Sequence, residues 1–285
     1  MTLASTSLYA GEGGGPRAAP EARRPLDAAG APFDQGVTQG LTGGAEIRRS
    51  VVALREVSGW LAGRELRSAL YRQPGLRMRR HLTHQYERLE GIAAGAGVTS
   101  ADLTILDAIW RTRGVGSISG SELELRLDPP DEMRPTLILR QLAPDSVGFR
   151  SVEVACLPLP GCIAGVNERG IGVAVLEDQG PVEVPLRSLA QDLLYHAASL
   201  DAACAHLETR ARYAGGTGAL VVADATGRAV RVELRAGACH TLKLEPTPPP
   251  RETTVRIDLI SGRIALVDPE GVQTELTIRQ AAARH

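Results

Sequence analysis

The stretch that decides the fold is Trp110–Asp128, WRTRGVGSISGSELELRLD. A helical run ends in it, three glycines (Gly114, Gly116 and Gly120) bracket two serines, and an alternating apolar pattern begins at Leu123, Leu125 and Leu127. The change from a period of three to four to a period of two marks a passage from helix to half-buried strand. Gly116-Ser117 is then one of two things. It is a tight corner with ordinary backbone demands, or it is a bond at which the chain cuts itself and exposes a nucleophile.

Upstream of the corner the pattern is helical. Ile47, Val51, Leu54, Val57 and Leu61 recur at steps of three and four, which predicts one amphipathic helix from about Ala45. After Pro74-Gly75, a second helix carries Leu82, Tyr86 and Leu89. A third opens at Thr99 with Asp102 three residues on, a capping-box spacing, and carries Leu103, Leu106 and Trp110. Residues 1–32 are Gly, Ala, Pro and Arg with almost no large apolar side chain, and read as a flexible arm.

Downstream, PTLILRQL (Pro135–Leu142) and SVEVACLPL (Ser151–Leu159) read as strands. CIAGVNERGIGVAVL (Cys162–Leu176) reads as two buried strands about an Asn167–Gly170 turn. A helical segment from about Leu186 to Tyr213 breaks near Ser199, and ALVVADATGRAVRVEL is a hairpin turning at Asp224–Gly227. LEPTPPPRE (residues 244–252) is a proline-rich linker, and residues 253–280 alternate as a small β meander. Helices, then strands, then helices, then strands predict a layered α+β domain and not an alternating Rossmann-type sheet.

Composition narrows the function. The chain has 285 residues, 43% of them apolar, and a net charge of −1. It therefore has no field to recruit nucleic acid or an anionic membrane. Nothing at the start reads as a secretory signal and no apolar run is long enough for a bilayer, so a cytoplasmic location is expected. The cysteines, Cys156, Cys162, Cys204 and Cys239, lack metal spacing and read as small buried hydrophobes. His81 and His84 lie one turn apart among Arg79, Arg80 and Arg88; with no third ligand in view they read as a solvated face, and neither a metal nor another cofactor is expected.

Four pieces of the chain stand in an order that resembles the acyl-coenzyme A:isopenicillin N acyltransferase family of N-terminal-nucleophile hydrolases. They are PFDQGVTQG (Pro32–Gly40), YERLEGIAAGAGVTSADLTILDA with the glycine corner after it, LPGCIAGVNERGIGVAV, and VPLRSLAQDLLYHAASLDAACAHL followed by the 219–234 hairpin. The resemblance implies an αββα sandwich over residues 33–243, with 33–116 as a helical pro-part and 117–243 as the core. It implies self-cleavage between Gly116 and Ser117, and Ser117 as the catalytic nucleophile, its own α-amino group serving as base near neutral pH. The substrate would be an amide or acyl-thioester of a small metabolite or peptide, and a homo-oligomer is left open.

The chain departs from the family pattern at its polar positions. Ser117 stands where the family has cysteine. Ala143 falls on an expected aspartate, with Asp145 two residues, ~6.6 Å, further along the strand. Ala219 falls on an expected asparagine, with Thr217 nearby. Asp145, Asn167 and Thr217 are the supporting candidates, Asn167 with a hairpin-turn role as its competing reading. Two lost oxyanion donors, at roughly 2.7–4 kcal/mol each, would together with the serine remove most of the acceleration. Two functions follow: an acyltransferase or amidohydrolase using Ser117, or a catalytically inactive member kept as a binding or structural scaffold.

Overall fold

The computed structural model describes residues 25–60, 75–109, 114–127, 137–145, 147–178, 184–214, 217–235, 238–244, 253–267 and 273–278. Among the described residues the protein is mixed α+β, with two sheets and no barrel. The proposed linker after Leu244, and Leu61 and Trp110 of the helical stripes, lie outside the described residues.

The helical part opens with α1 (Pro32–Thr42) and α2 (Gly44–Trp60), then α3 (Thr83–Ala96) and α4 (Ser100–Ile109). Ile47, Val51 and Leu54 of α2 are buried, as their spacing requires. At the start of α4 the Asp102 amide donates to Thr99 Oγ1 at 3.1 Å and the Thr99 hydroxyl donates to Asp102 Oδ2 at 2.7 Å, which fills one orphan donor of the first turn.

Contact between α1 and α3 is set by four glycines. A Cβ added at Gly36 would lie 2.1 Å from Arg88 O, at Gly40 2.4 Å from Ile92 O, at Gly91 2.0 Å from Phe33 O, and at Gly95 2.5 Å from Val37 O. The glycines repeat every four residues on both helices, so one backbone rests on the other with no room for a methyl group. This is why PFDQGVTQG, poor in helix formers, is a helix: its partner surface supplies what propensity does not.

The larger sheet has the order β1-β4-β5-β6-β7-β8-β9-β10, built from β1 (Leu26–Gly30), β4 (Leu137–Pro144), β5 (Ser151–Cys156), β6 (Ala164–Asn167), β7 (Ile171–Asp178), β8 (Gly218–Asp224), β9 (Ala229–Arg235) and β10 (Ala238–Lys243). All neighbours are antiparallel except β1, which runs parallel to β4 with Leu26 opposite Arg140. The segment read as the end of a flexible arm is thus an edge strand, with Leu26 and Ala28 buried. With Leu26 its one large apolar side chain, the stretch Leu26–Gly30 gives too weak an alternation to announce it.

The smaller sheet has the order β13-β12-β11-β3-β2, from β2 (Gly114–Ser119), β3 (Glu122–Leu127), β11 (Thr253–Asp258), β12 (Arg263–Val267) and β13 (Gln273–Thr277). The C-terminal meander is therefore not an appendix. β11 pairs along the whole of β3, and Val255, Ile257 and Ile264 belong to the same apolar cluster as Leu123 and Leu125.

The two sheets pack face to face, β2 and β3 over β7, β11 over β6 and β13 over β4. The helical layer lies on the other face of the larger sheet, with α5 (Leu186–His196) against β6, β7 and β8, and α6 (Leu200–Ala214) against β8 and β10. Among the described residues no helix makes more than marginal contact with the smaller sheet. Where an αββα arrangement would place a second helical layer, the described strands show a charged face: Glu122, Arg256, Arg263, Gln273 and Glu275 are exposed there.

Candidate functional site

Ser117 is the fourth residue of β2, an edge strand, and is half-buried. Its neighbour decides which way it points. A Cβ on Gly116 would lie 2.8 Å from Leu176 Cδ2 and 3.3 Å from Val221 Cγ2, so residue 116 faces the larger sheet. Side chains alternate along a strand, which turns Ser117 to the outer face. Its cross-strand partner is Glu124, and the row continues through Arg256, Ala265 and Glu275. Glu124 pairs with Arg126, its Oε1 2.5 Å from Arg126 Nη2, and with Arg256, its Oε2 3.4 Å from Arg256 Nε. A carboxylate opposite a nucleophile disfavours a developing oxyanion.

The bond between Gly116 and Ser117 lies inside the ladder. Gly114, Val115 and Gly116 pair with Leu127, Arg126 and Leu125, and Ser117 follows in the same register.

The supporting candidates do not converge on Ser117. Asp145 is exposed after the end of β4. Asn167, at the corresponding end of β6, is buried and fully engaged: its Nδ2 donates to the carbonyls of Leu194 (2.9 Å) and Ala197 (2.8 Å), and its Oδ1 accepts from the amides of Arg169 and Ile171, both at 3.0 Å. It fastens the β6–β7 turn to the end of α5, the turn role read for it. Thr217 precedes β8 at the opposite end of the sheet, because β8 runs antiparallel to β7 with Gly218 beside Asp178 and Asp224 beside Ile171.

On the outer face, Ser121, Glu122, Asp258, Ile260 and Arg263 line part of a shallow concavity of about 380 Å³, and Ser117 is not among its lining residues. Cys162 is buried, in line with its reading as a small buried side chain, and burial drives its thiol well above the ordinary range.

Chemistry-bearing side chains concentrate instead between the helices and the larger sheet. Arg140, fully buried, donates to Glu153 Oε2 at 2.8 Å, to Gln39 Oε1 at 2.9 Å, and to the carbonyls of Leu159, Pro160 and Gly161. Arg88 donates to Gln35 Oε1 and Pro160 O; burial and the nearby Arg140 charge lower its pKa to about 9. Arg187 ion-pairs with Asp107 at 3.1 Å.

Beside this network lies a second group. Asp192 and His196 are one turn apart on α5, His206 and Arg210 one turn apart on α6, and His84 is in the first turn of α3. Asp192 Oδ2 is held by His206 Nε2 at 2.5 Å and Arg210 Nε at 2.9 Å, while Oδ1 lies 3.5 Å from both His84 Nε2 and His196 Nε2. His84 stacks on Tyr195, ring centroids 4.6 Å apart. Burial lowers the His84 pKa to about 3 and lowers that of His196, so both rings are neutral at pH 7. Burial alone would raise the Asp192 carboxyl, but the hydrogen bond from His206 and the surrounding positive charge bring it below its ordinary value.

His84 is thus no solvated face: only 13% of its side chain is exposed. The local signals available for the cluster were Asp192-x-x-x-His196 and His206-x-x-x-Arg210, each placing two polar groups on one helix face. His84 joins them from more than a hundred residues away, which no spacing reveals.

Among the described residues no helix is long and apolar enough to cross a membrane. No family model matches the chain, and no curated protein matches it.

Proposed function

We propose that this protein is a binding or structural scaffold, built on a sandwich like that of the N-terminal-nucleophile hydrolases, in which residue 117 performs no acyl chemistry. The observation that carries this reading is the facing of β2: glycine is turned to the inter-sheet core, and Ser117 stands on the outer sheet face opposite Glu124. A serine nucleophile of this type needs an adjacent base and donors aimed at an oxyanion. Asp145 and Thr217 belong to opposite ends of the larger sheet, and the polar atoms of Asn167 are occupied elsewhere.

The test is the mass of the purified full chain with a β-lactone acylation probe. A single species of 30.2 kDa, unlabelled and identical in Ser117→Ala, is the expected result. Two fragments divided after Gly116, lost in Ser117→Ala, would reinstate the other reading: an acyltransferase or amidohydrolase of small amides or acyl-thioesters with Ser117 as nucleophile.

A further inference from the structure

The Asp192 side chain has no exposed surface, yet its Oδ1 has no hydrogen-bond partner. A buried carboxylate oxygen left unpartnered is expensive, and it calls for a positively charged occupant. Two imidazole nitrogens, His84 Nε2 and His196 Nε2, each lie 3.5 Å away, beyond the 2.7–2.9 Å or so of a charge-assisted hydrogen bond. Both belong to imidazoles, whose neutral form offers a lone pair to a metal.

Those distances are the ones a bound cation would set. Ligand bonds of about 2.1 Å in a tetrahedron place neighbouring donor atoms about 3.4 Å apart. The donor atoms of His84, Asp192 and His196 all lie within 4.8 Å of one another. The other half of the carboxylate is already oriented: His206 and Arg210 grip Oδ2 and so aim Oδ1 between the two rings, as the outer partners of a metal ligand do. Gln85 sits beside the same space, with its Nε2 3.3 Å from His84 Nε2 and its Oε1 buried without a partner. Exchanging the two ends of that amide frees His84 Nε2 from a donor and brings an oxygen toward the gap.

We propose that His84 Nε2, Asp192 Oδ1 and His196 Nε2 form a site for one borderline divalent first-row cation of the zinc class. Two imidazoles and one carboxylate favour such an ion over calcium or magnesium, which take oxygen donors. Three protein ligands leave a position for water. The ion ties the first turn of α3 to α5, beside the stacking of His84 on Tyr195. This site is independent of the scaffold reading of Ser117, and either can fail alone.

The test uses the full chain produced without a polyhistidine tag, stripped with a chelator and titrated with Zn²⁺ against a competing indicator, then with Co²⁺ by absorption. One ion per chain is expected, with a Co²⁺ spectrum of nitrogen and oxygen ligands. Asp192→Asn and His196→Ala should each lower the Zn²⁺ affinity at least about a hundredfold, and His206→Ala about tenfold through the lost grip on Oδ2. His240→Ala, on β10 away from the cluster, should bind as the parent does. Far-UV circular dichroism of the metal-free variants separates lost ligands from lost fold, and His196, 34% exposed, is the side chain whose removal least disturbs packing. Failure of the parent chain to bind Zn²⁺ would overturn the site. So would unchanged affinity in folded Asp192→Asn and His196→Ala, or a thiolate-to-cobalt band placing the ion on cysteine.

Discussion

Arginine–glutamate pairs occur on both sides of this molecule, and they do different work. On the outer face of the smaller sheet, Arg256 and Glu124 approach to 3.4 Å with the arginine 55% exposed. Between the helices and the larger sheet, Arg140 and Glu153 meet at 2.8 Å with both side chains fully buried. Water screens the first pair and supplies alternatives when it breaks. The second has no alternative, so its partners, Gln39, Ser151 and three loop carbonyls, are part of one all-or-none arrangement. Counting ion pairs would rate the two faces alike; burial is what separates them.

That contrast can be broken deliberately. The largest expected effect is Arg140→Ala, which strands Glu153 and several carbonyls in the core and should cost about 3–5 kcal/mol in chemical denaturation. Arg140→Met with Glu153→Met should recover a good part of that loss, since an apolar pair of similar volume removes the unpaired charge. A double variant as unstable as the single one would mean that the loop carbonyls, and not the ion pair, dominate.

Next comes Gly91→Ala, whose methyl group would lie 2.0 Å from Phe33 O. About 3 kcal/mol of destabilisation is expected, at the top of the overpacking range, because backbone must move. A melting temperature within a degree of the parent would show that α1 and α3 can separate freely.

Acid should act on the helical side and spare the sheet face. With its pKa lowered to about 3, His84 is neutral when folded, whereas the unfolded chain takes up its proton near pH 6.5. The unfolded state then binds more protons, so the contribution is fully present above about pH 6.5 and is lost as pH falls toward 3. Metal-free protein should lose about 2 kcal/mol between pH 7 and 5 from this group. His84→Gln should flatten that slope in urea titrations; an equal slope in the variant would mean the proton is taken up elsewhere.

The smallest effect is Arg256→Ala on the open face. A stability change within about 0.5 kcal/mol is expected by thermal unfolding, and a larger one would mean that this face is not screened as its exposure implies.

Legibility in the sequence followed the range of the interaction. The Thr99–Asp102 cap, the Asn167–Gly170 turn, the break between α5 and α6 and the alternation of β3 rest on neighbours within a few residues, and each could be read directly. β1 could not, because its strand conformation comes from pairing with residues over a hundred positions later. Nor could the union of β11 with β3, or the meeting of His84 with Asp192, which depend on which surfaces the chain brings together. The facing of Ser117 was open until the contacts of Gly116 settled the parity of its strand.

The loop from Leu157 to Gly161 carries one more consequence. Its carbonyls are held by Gln39 from α1, Arg88 from α3 and Arg140 from β4, three segments otherwise far apart in the chain. Lifting the amino-terminal helices would strip donors from the carbonyls of Leu157, Leu159 and Pro160 at once. Amide exchange in α1 and α3 should therefore slow to the rate of β4 and β5, the four elements opening as one unit although two of them sit at the periphery.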